Sequence, residues 1–210
     1  FHFSGLVIPV LYYLGLRVPI PGADGPWLTR ELAIWIVGAG AAIYLVTDMT
    51  RLSDPSMNRR FVRVFRVLLR PSEVRAPTGT SYYLLGAFLS ILLFSPVVAI
   101  AAILFLVFGD FTAALVGTSV GRIRIFPPRT LEGSAGCLLA CLAVGIALFW
   151  HVKPVWPVAV ALAFVGAAAA TVAEGAPWRL NDNLTIPLVS GLALRFAARG
   201  LGVVELPLPW

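Results

Sequence analysis

Charge is scarce in this chain. Asp, Glu, Lys and Arg make up 12% of the 210 residues against 59% hydrophobic, and a mean hydropathy of +0.90 excludes a soluble globular core. Cysteine is scarcer still: Cys137 and Cys141 lie one helical turn apart among Ala and Leu, which reads as small apolar packing and implies no disulfide. There is no G-x-x-x-x-G-K-[ST] phosphate loop, no H-E-x-x-H and no Cys pair at metal spacing, so the common soluble nucleotide and zinc devices are excluded. His151 and Lys153 fall in a short outer loop and carry no catalytic pattern.

What the chain has in quantity is long apolar runs. A bilayer core of roughly 30 Å takes about 20 apolar residues as a helix. Runs near 3–16, 31–47, 79–95, 96–119, 133–150, 154–173 and 184–203 predict seven spans, the first and third short. The expected fold class is all-α: a polytopic integral membrane helical bundle of about seven transmembrane helices, with residues 1–210 as one membrane-embedded domain. The chain begins at Phe1 without a Met, which points to a trimmed N-terminus. Its first run lacks a basic leading region and a small-residue cleavage site, and reads as a span and not a signal peptide.

Residues 82–108 fit either one helix kinked at Pro96 or two spans. Charge decides between them, because cytoplasmic loops are enriched in Lys and Arg. Arg51, Arg59, Arg60, Arg63, Arg66, Arg70 and Arg75, then Arg122, Arg124 and Arg129, then Arg179 mark three junctions that belong on one side. An even number of crossings then separates the first two junctions, which gives two spans and an N-in, C-out topology. Asp48, Asp54, Glu73, Asp110, Glu132, Glu174 and Asp182 fall on that same cytoplasmic edge, and Asp24, Glu31 and Glu205 on the other. Between residues 51 and 75, the stretch Ser56 to Leu69 puts Phe61, Val64, Phe65 and Leu68 at helical spacing among arginines, which predicts an amphipathic helix lying on anionic lipid. Arg70 at its end is a candidate phosphate ligand.

Asp110 lies fourteen residues into the fourth span, roughly 21 Å along at 1.5 Å per residue. An unpaired carboxylate at the centre of a span costs about 2.5–3.5 kcal/mol on insertion scales, so a bound cation or an Arg partner is expected. On its helical face follow Ala113, Ala114, Gly117 and Gly121, a stripe almost free of side chains. Gly117 and Gly121 also fit close helix packing. The loop after it carries Arg122, Arg124 and Arg129, stiffened by Pro127 and Pro128, and runs through Thr130 and Glu132 to Gly133-Ser134 at the start of the fifth span. Guanidinium groups beside a helix N-terminus suit phosphate, although Arg122 and Arg124 also satisfy the positive-inside rule. The third junction, residues 174–183, gathers Glu174, Asn181, Asp182 and Asn183. Such oxygen-rich groups suit Mg²⁺, which takes one or two carboxylates and keeps phosphate and water in its other positions. Asp182 or Asn183 fits equally as a cap of the seventh span.

Taken together, Gly109-Asp110-x-x-Ala113-Ala114-x-x-Gly117, then Gly121-Arg122, then Thr130-x-Glu132-Gly133-Ser134, then Glu174 and Asp182-Asn183-x-x-x-Pro187 closely resemble the CTP-dependent lipid kinases, which include dolichol and polyprenol kinases, phytol kinases and CTP-dependent diacylglycerol kinases. His2 with Gly5, Pro9 and Tyr12, and Arg70-Pro71-Ser72-Glu73 with Gly79 and Tyr82, extend the resemblance over most of the chain. Arg129 stands where many members place a Lys.

The resemblance implies transfer of the CTP γ-phosphoryl group to a lipid hydroxyl with Mg²⁺. Its partners would be CTP, a membrane lipid alcohol and the bilayer, with no nucleic acid. It assigns Asp110, Glu174 and Asp182 to the metal. Gly109, Gly117, Arg122, Arg129, Thr130, Gly133, Ser134 and Asn183 go to the nucleotide, over residues 109–134 and the junction 174–183. The catalytic positions are Asp110, Glu132, Asp182 and Glu73, with Glu73, Asp182 or His2 as the base. A cytidylyltransferase making a CDP-lipid shares the location, CTP and Mg²⁺, but its Asp-rich C-terminal signature is missing. A transporter would place acids near the midplane of an internal repeat, whereas these cluster on one face.

Overall fold

The structure, a computed structural model, describes residues 2–18, 26–152, 155–177 and 180–203. Asp24, Lys153, Arg179, Glu205 and the His2 side chain lie outside that description. The described residues form α1 (Val7–Arg17), α2 (Arg30–Ser53), α3 (Pro55–Phe65), α4 (Gly79–Leu93), α5 (Pro96–Ser119), a hairpin of β1 (Arg124–Phe126) and β2 (Arg129–Thr130), α6 (Leu131–Val152), α7 (Trp156–Gly175) and α8 (Asp182–Gly200). Every apolar run expected to span is a helix. Four of them, α2, α5, α6 and α7, are long and apolar enough to cross a membrane. A 3-10 turn over His2–Leu6 leads into the shorter α1, and α4 is also short at 15 residues. The chain is an all-α, multi-span integral membrane protein.

The break between α4 and α5 follows from Pro96. The residue before a proline is pushed out of the α region, and Ser95 is extended at φ −62°, ψ 155° with Phe94 likewise extended. Stopping a helix there leaves four carbonyls without helical partners, and in lipid each must be satisfied. Arg30 at the start of α2 donates to Ile91, Leu92 and Phe94 oxygens at 3.2, 3.0 and 3.1 Å. Arg195 on α8 donates to Leu93 oxygen at 3.3 Å. Two cations thus sit at the negative end of the α4 dipole.

α5 is the hub of the bundle, with α6, α8, α4, α7 and α1 packed around it. Its Val97 to Ile103 run is buried throughout, as are Phe105, Leu106 and Val107. The amphipathic stretch forms α3 as the sequence implies. Asp54 caps it, accepting from Ser56 N at 2.7 Å and Ser56 Oγ at 3.1 Å, and these bonds hold its carboxyl below the usual carboxylate range. Every side chain of α3 stays at least partly exposed, as suits a helix lying on a surface.

A buried ion pair ties this surface helix to the bundle. Asp48 and Arg51, one turn apart on α2, are 2% and 0% exposed. Asp48 accepts from Arg51 Nε at 2.6 Å, and its other oxygen accepts from Thr78 N, Thr78 Oγ1 and Ser81 Oγ at 2.7, 3.1 and 2.6 Å. The remaining Arg51 nitrogens donate to Asn58 Oδ1 at 3.0 Å and to the carbonyls of Glu73 and Ala76 at 3.1 and 2.7 Å. Its guanidinium carbon lies 4.7 Å from the centre of the Phe61 ring. Asn58 in turn donates to Val74 oxygen at 2.9 Å. One guanidinium therefore joins α2, α3 and the segment leading into α4.

Removing one partner of a buried, fully bonded pair leaves an uncompensated charge and costs about 3–5 kcal/mol. Arg51→Met should therefore lower the thermal unfolding temperature of the detergent-solubilised protein sharply and open residues 66–78 to protease. The exposed Arg63→Met should change stability by about 0.5 kcal/mol or less.

Candidate functional site

The three junctions that the sequence marks as basic and acidic meet at one end of the bundle. The second of them forms a short antiparallel hairpin in which Arg124 pairs with Thr130 and Phe126 with Arg129, where the sequence reads as a stiffened loop. Ile123 oxygen accepts from Leu131 N at 2.8 Å. Both oxygens of Glu132 accept from Ile123 N, at 3.3 and 3.2 Å, so this carboxylate fastens the hairpin to α6. Thr130 Oγ1 accepts from Gly133 N at 3.1 Å and satisfies one of the open N–H groups at the α6 start. Arg122 and Arg124 are exposed on the hairpin.

The glycines of the side-chain-poor stripe on α5 are covered by protein, while Ala114 stays exposed. A Cβ added to Gly121 would lie 2.2 Å from Gly117 oxygen and 2.7 Å from Thr130 Oγ1, and one on Gly133 would lie 2.8 Å from Ala113 oxygen. A Cβ on Gly117 would stand 3.1 Å from the same threonine oxygen, and one on Gly109 within 2.9 Å of both cysteine sulfurs. α6 and the hairpin seat on α5 beside Gly109, Gly117 and Gly133. Cys137 and Cys141 are buried free thiols within that contact.

Arg129 is the centre of the polar end. Its Nη2 donates to both oxygens of Asp182, at 2.8 and 2.9 Å, and its Nη1 to the Ala176 carbonyl. Nε stands 3.8 Å from Glu174 Oε1, and Ser134 Oγ donates to Glu174 Oε2 at 3.5 Å. The second junction is thus locked to the third by a guanidinium that is 19% exposed and so reachable from solvent. Asp110, partly buried on α5, is near enough for its negative charge to act on both Glu174 and Asp182.

The third and first junctions are joined through Asn183. Its Nδ2 donates to Gly79 oxygen at 2.9 Å. Pro187, four residues on, has no N–H to give to the Asn183 carbonyl, and α4 closes over that oxygen: a Cβ on Gly86 would lie 2.5 Å from it. The D-N-x-x-x-P motif thereby docks α8 on α4. Glu73 accepts from Arg70 N at 2.8 Å and Gly79 N at 2.7 Å, one bond to each oxygen, which fixes the approach to α4. Glu73, a candidate base in the sequence, thus has each oxygen engaged by a backbone N–H group.

Arg70, Glu73, Thr78, Asp110 and Asn183 line an open cavity of about 750 Å³ formed by α1 to α5, the segments before α1 and after α3, and the start of α8. That volume falls within the ordinary range for ligand sites. The sequence reading counted Asp48 and Arg51 as edge charge and missed their role. The available signal was their i,i+3 spacing at the end of a span, where an unpaired buried charge is untenable.

Among the described residues, no three Asp, Glu, His or Cys side chains are gathered closely enough to hold a metal by themselves. Mg²⁺ asks for less, one or two carboxylates with phosphate and water. Both Asp182 oxygens are engaged by Arg129, whereas Glu174 has two long contacts, at 3.8 and 3.5 Å. Of these two carboxylates, Glu174 is the less engaged and so the better fit to such an ion.

The fold and this end of it define a class: a multi-span helical membrane protein whose arginines and carboxylates converge beside a largely apolar cavity. No family model matches the chain, and no solved structure matches it. Three curated proteins are similar. An uncharacterized protein of Rickettsia prowazekii is 26% identical over 90% of this chain and 87% of its own length. CTP-dependent diacylglycerol kinase 1 of Schizosaccharomyces pombe is 29% identical over 70% of this chain and 72% of its own length. The protein of the same name from Eremothecium gossypii is 28% identical over 70% of this chain, and the match covers 53% of that longer relative. These relatives support the family that the motifs resemble, the CTP-dependent lipid kinases.

Gly121→Ala should cost about 1–3 kcal/mol through overpacking against backbone. At Gly40, an added Cβ meets no described atom within 4 Å, and Ala there should stabilise α2 by up to about 1 kcal/mol. Thermal unfolding of the two variants side by side measures the difference.

Proposed function

We propose that this protein transfers the γ-phosphoryl group of CTP to the hydroxyl of a membrane lipid alcohol at the cytoplasmic face, with the chain running N-in to C-out. The products are CDP, a lipid monophosphate and a proton. The acceptor is a diacylglycerol, a polyprenol or dolichol, or a phytol-like alcohol. The observation that carries this reading is the Arg129 cluster, where a solvent-reachable guanidinium lies between Asp182 and Glu174 with Asp110 alongside.

Phosphoryl transfer needs little covalent help from a protein: positioning, and charge to balance that developing on the phosphoryl oxygens. Arg129 and the exposed Arg122 supply positive charge for the triphosphate. Thr130, Gly133 and Ser134 set the start of α6, whose N–H groups and dipole favour an anion. Asp110 and Glu174 would hold Mg²⁺, which would supply positive charge to offset that on the phosphate oxygens. Asp182 keeps Arg129 aimed, Glu132 keeps the hairpin in place, and Glu73 and Asn183 keep the first and third junctions in register. Gly109 and Gly117 serve the nucleotide by allowing the close seating of α6.

The test is purified protein in lipid nanodiscs with CTP, Mg²⁺ and each candidate alcohol. CDP with a lipid monophosphate supports the kinase, and pyrophosphate with a CDP-lipid would show a cytidylyltransferase instead. Asp110→Asn, nearly isosteric, should lower kcat by about 10²–10³, and Arg129→Lys should raise the KM for CTP more than it lowers kcat. Unchanged CTP binding and turnover in Asp110→Asn would sink the assignment.

A further inference from the structure

The cavity of about 750 Å³ is lined by charged and polar residues together with a larger set of apolar ones. Its charged lining residues are Asp110, Arg70 and Glu73, with Asn183 beside them; most of the remaining lining is apolar, from Leu106 and Val107 on α5 to Ile43 and Tyr44 on α2, Phe61 and Phe65 on α3 and Leu68 and Leu69 after it, with Thr47 also contributed by α2. Five lining residues are large, apolar and exposed: Val7 at 55%, Ile43 at 65%, Tyr44 at 46%, Phe65 at 40% and Leu68 at 48%, four of them on α2, on α3 and just after α3. α2 is a membrane span and α3 an amphipathic surface helix, so an opening between them faces the boundary between headgroups and acyl chains. A water-soluble substrate gains nothing from such walls, whereas an amphiphile with one hydroxyl end and an apolar tail matches them along their length.

We infer that this cavity is the chamber for the acceptor lipid, which enters sideways between α2 and α3 with its hydroxyl at Asp110 and Asn183 and its chain leaving past Phe65 and Leu68. The inference rests on the kinase reading and deepens it. Asp110 is the residue shared by the two sides: it lines the chamber and its charge acts on the Glu174 and Asp182 carboxylates of the Arg129 cluster. An acceptor arriving through the chamber and a nucleotide held at Arg129 therefore meet at one carboxylate. Arg51 and Asp48 do not line the chamber, but they hold residues that do: Phe61 lies against the Arg51 guanidinium, the Glu73 carbonyl accepts from Arg51, and Thr78 bonds to Asp48.

Two measurements on the full chain in nanodiscs test this. A diazirine-bearing diacylglycerol and a diazirine-bearing polyprenol, photolysed separately, should label peptides covering residues 43–47 and 61–69, with labelling removed by excess unlabelled lipid. The probe that labels there identifies the acceptor type. Thr47→Trp, which fills the chamber from α2, should raise the KM for lipid about tenfold, a loss of about 1.4 kcal/mol of binding, and leave the KM for CTP unchanged. Val46→Trp, on a neighbouring exposed face of the same helix outside the chamber, should change neither. Labelling confined to other peptides, or an unchanged lipid KM in Thr47→Trp, would overturn the chamber. Labelling of these peptides by a protein that turns over no CTP with any alcohol would sustain the chamber and overturn the kinase reading.

Discussion

A guanidinium withdrawn from water has five N–H groups and a charge to satisfy, and at the polar end of this bundle two such groups do most of the joining. Arg51 binds a carboxylate, an amide and two carbonyls drawn from α2, α3 and the segment before α4. Arg129 binds Asp182, the Ala176 carbonyl and the neighbourhood of Glu174. Each connects parts of the chain that apolar packing cannot align, because lipid tails are as apolar as the helix faces they would compete with. The position of Arg70, Glu73 and Thr78 in the cavity lining follows from the first, and that of Asp182 beside the hairpin from the second.

Between these nodes the helices approach closely because small residues let them. Gly109 receives the cysteine sulfurs of α6, Gly117 and Gly121 receive Thr130, and Gly86 receives the Asn183 carbonyl that Pro187 cannot bond. Most of the small and proline positions in the motifs thus serve as contact surfaces between helices, and the polar members hang from them. Glu132 and Glu73 follow the same pattern, since each gives both oxygens to backbone N–H groups. Asp110 differs from them: it lies where the cavity and the arginine-carboxylate cluster come together.

That placement suits a reaction across the membrane surface. The Arg129 side is polar and open to water, while the chamber side is apolar and opens towards lipid. A charged nucleotide and a membrane-bound alcohol need separate approaches to one point, since neither is stable in the other's medium. A helix end beside a surface helix provides both approaches at the same depth.

The sequence by itself determined the helices. Apolar run length, Pro96 and the arginine junctions placed the apolar helices, four of them long enough to cross a membrane, and the amphipathic α3, and α5 runs over Pro96–Ser119 as its pattern implies. Periodicity and proline chemistry act within a few residues, so a linear reading captures them. The tertiary structure decided which charges are partners. Arg51 reaches carbonyls 22 and 25 residues away, Arg129 reaches Asp182 across 53 residues, and Asn183 reaches Gly79 across 104. Several of these acceptors are backbone oxygens, identical at every residue and silent in composition. The hairpin at 124–130, the packed glycine stripe and the cavity beside Asp110 likewise exist only once helices distant in the chain have come together.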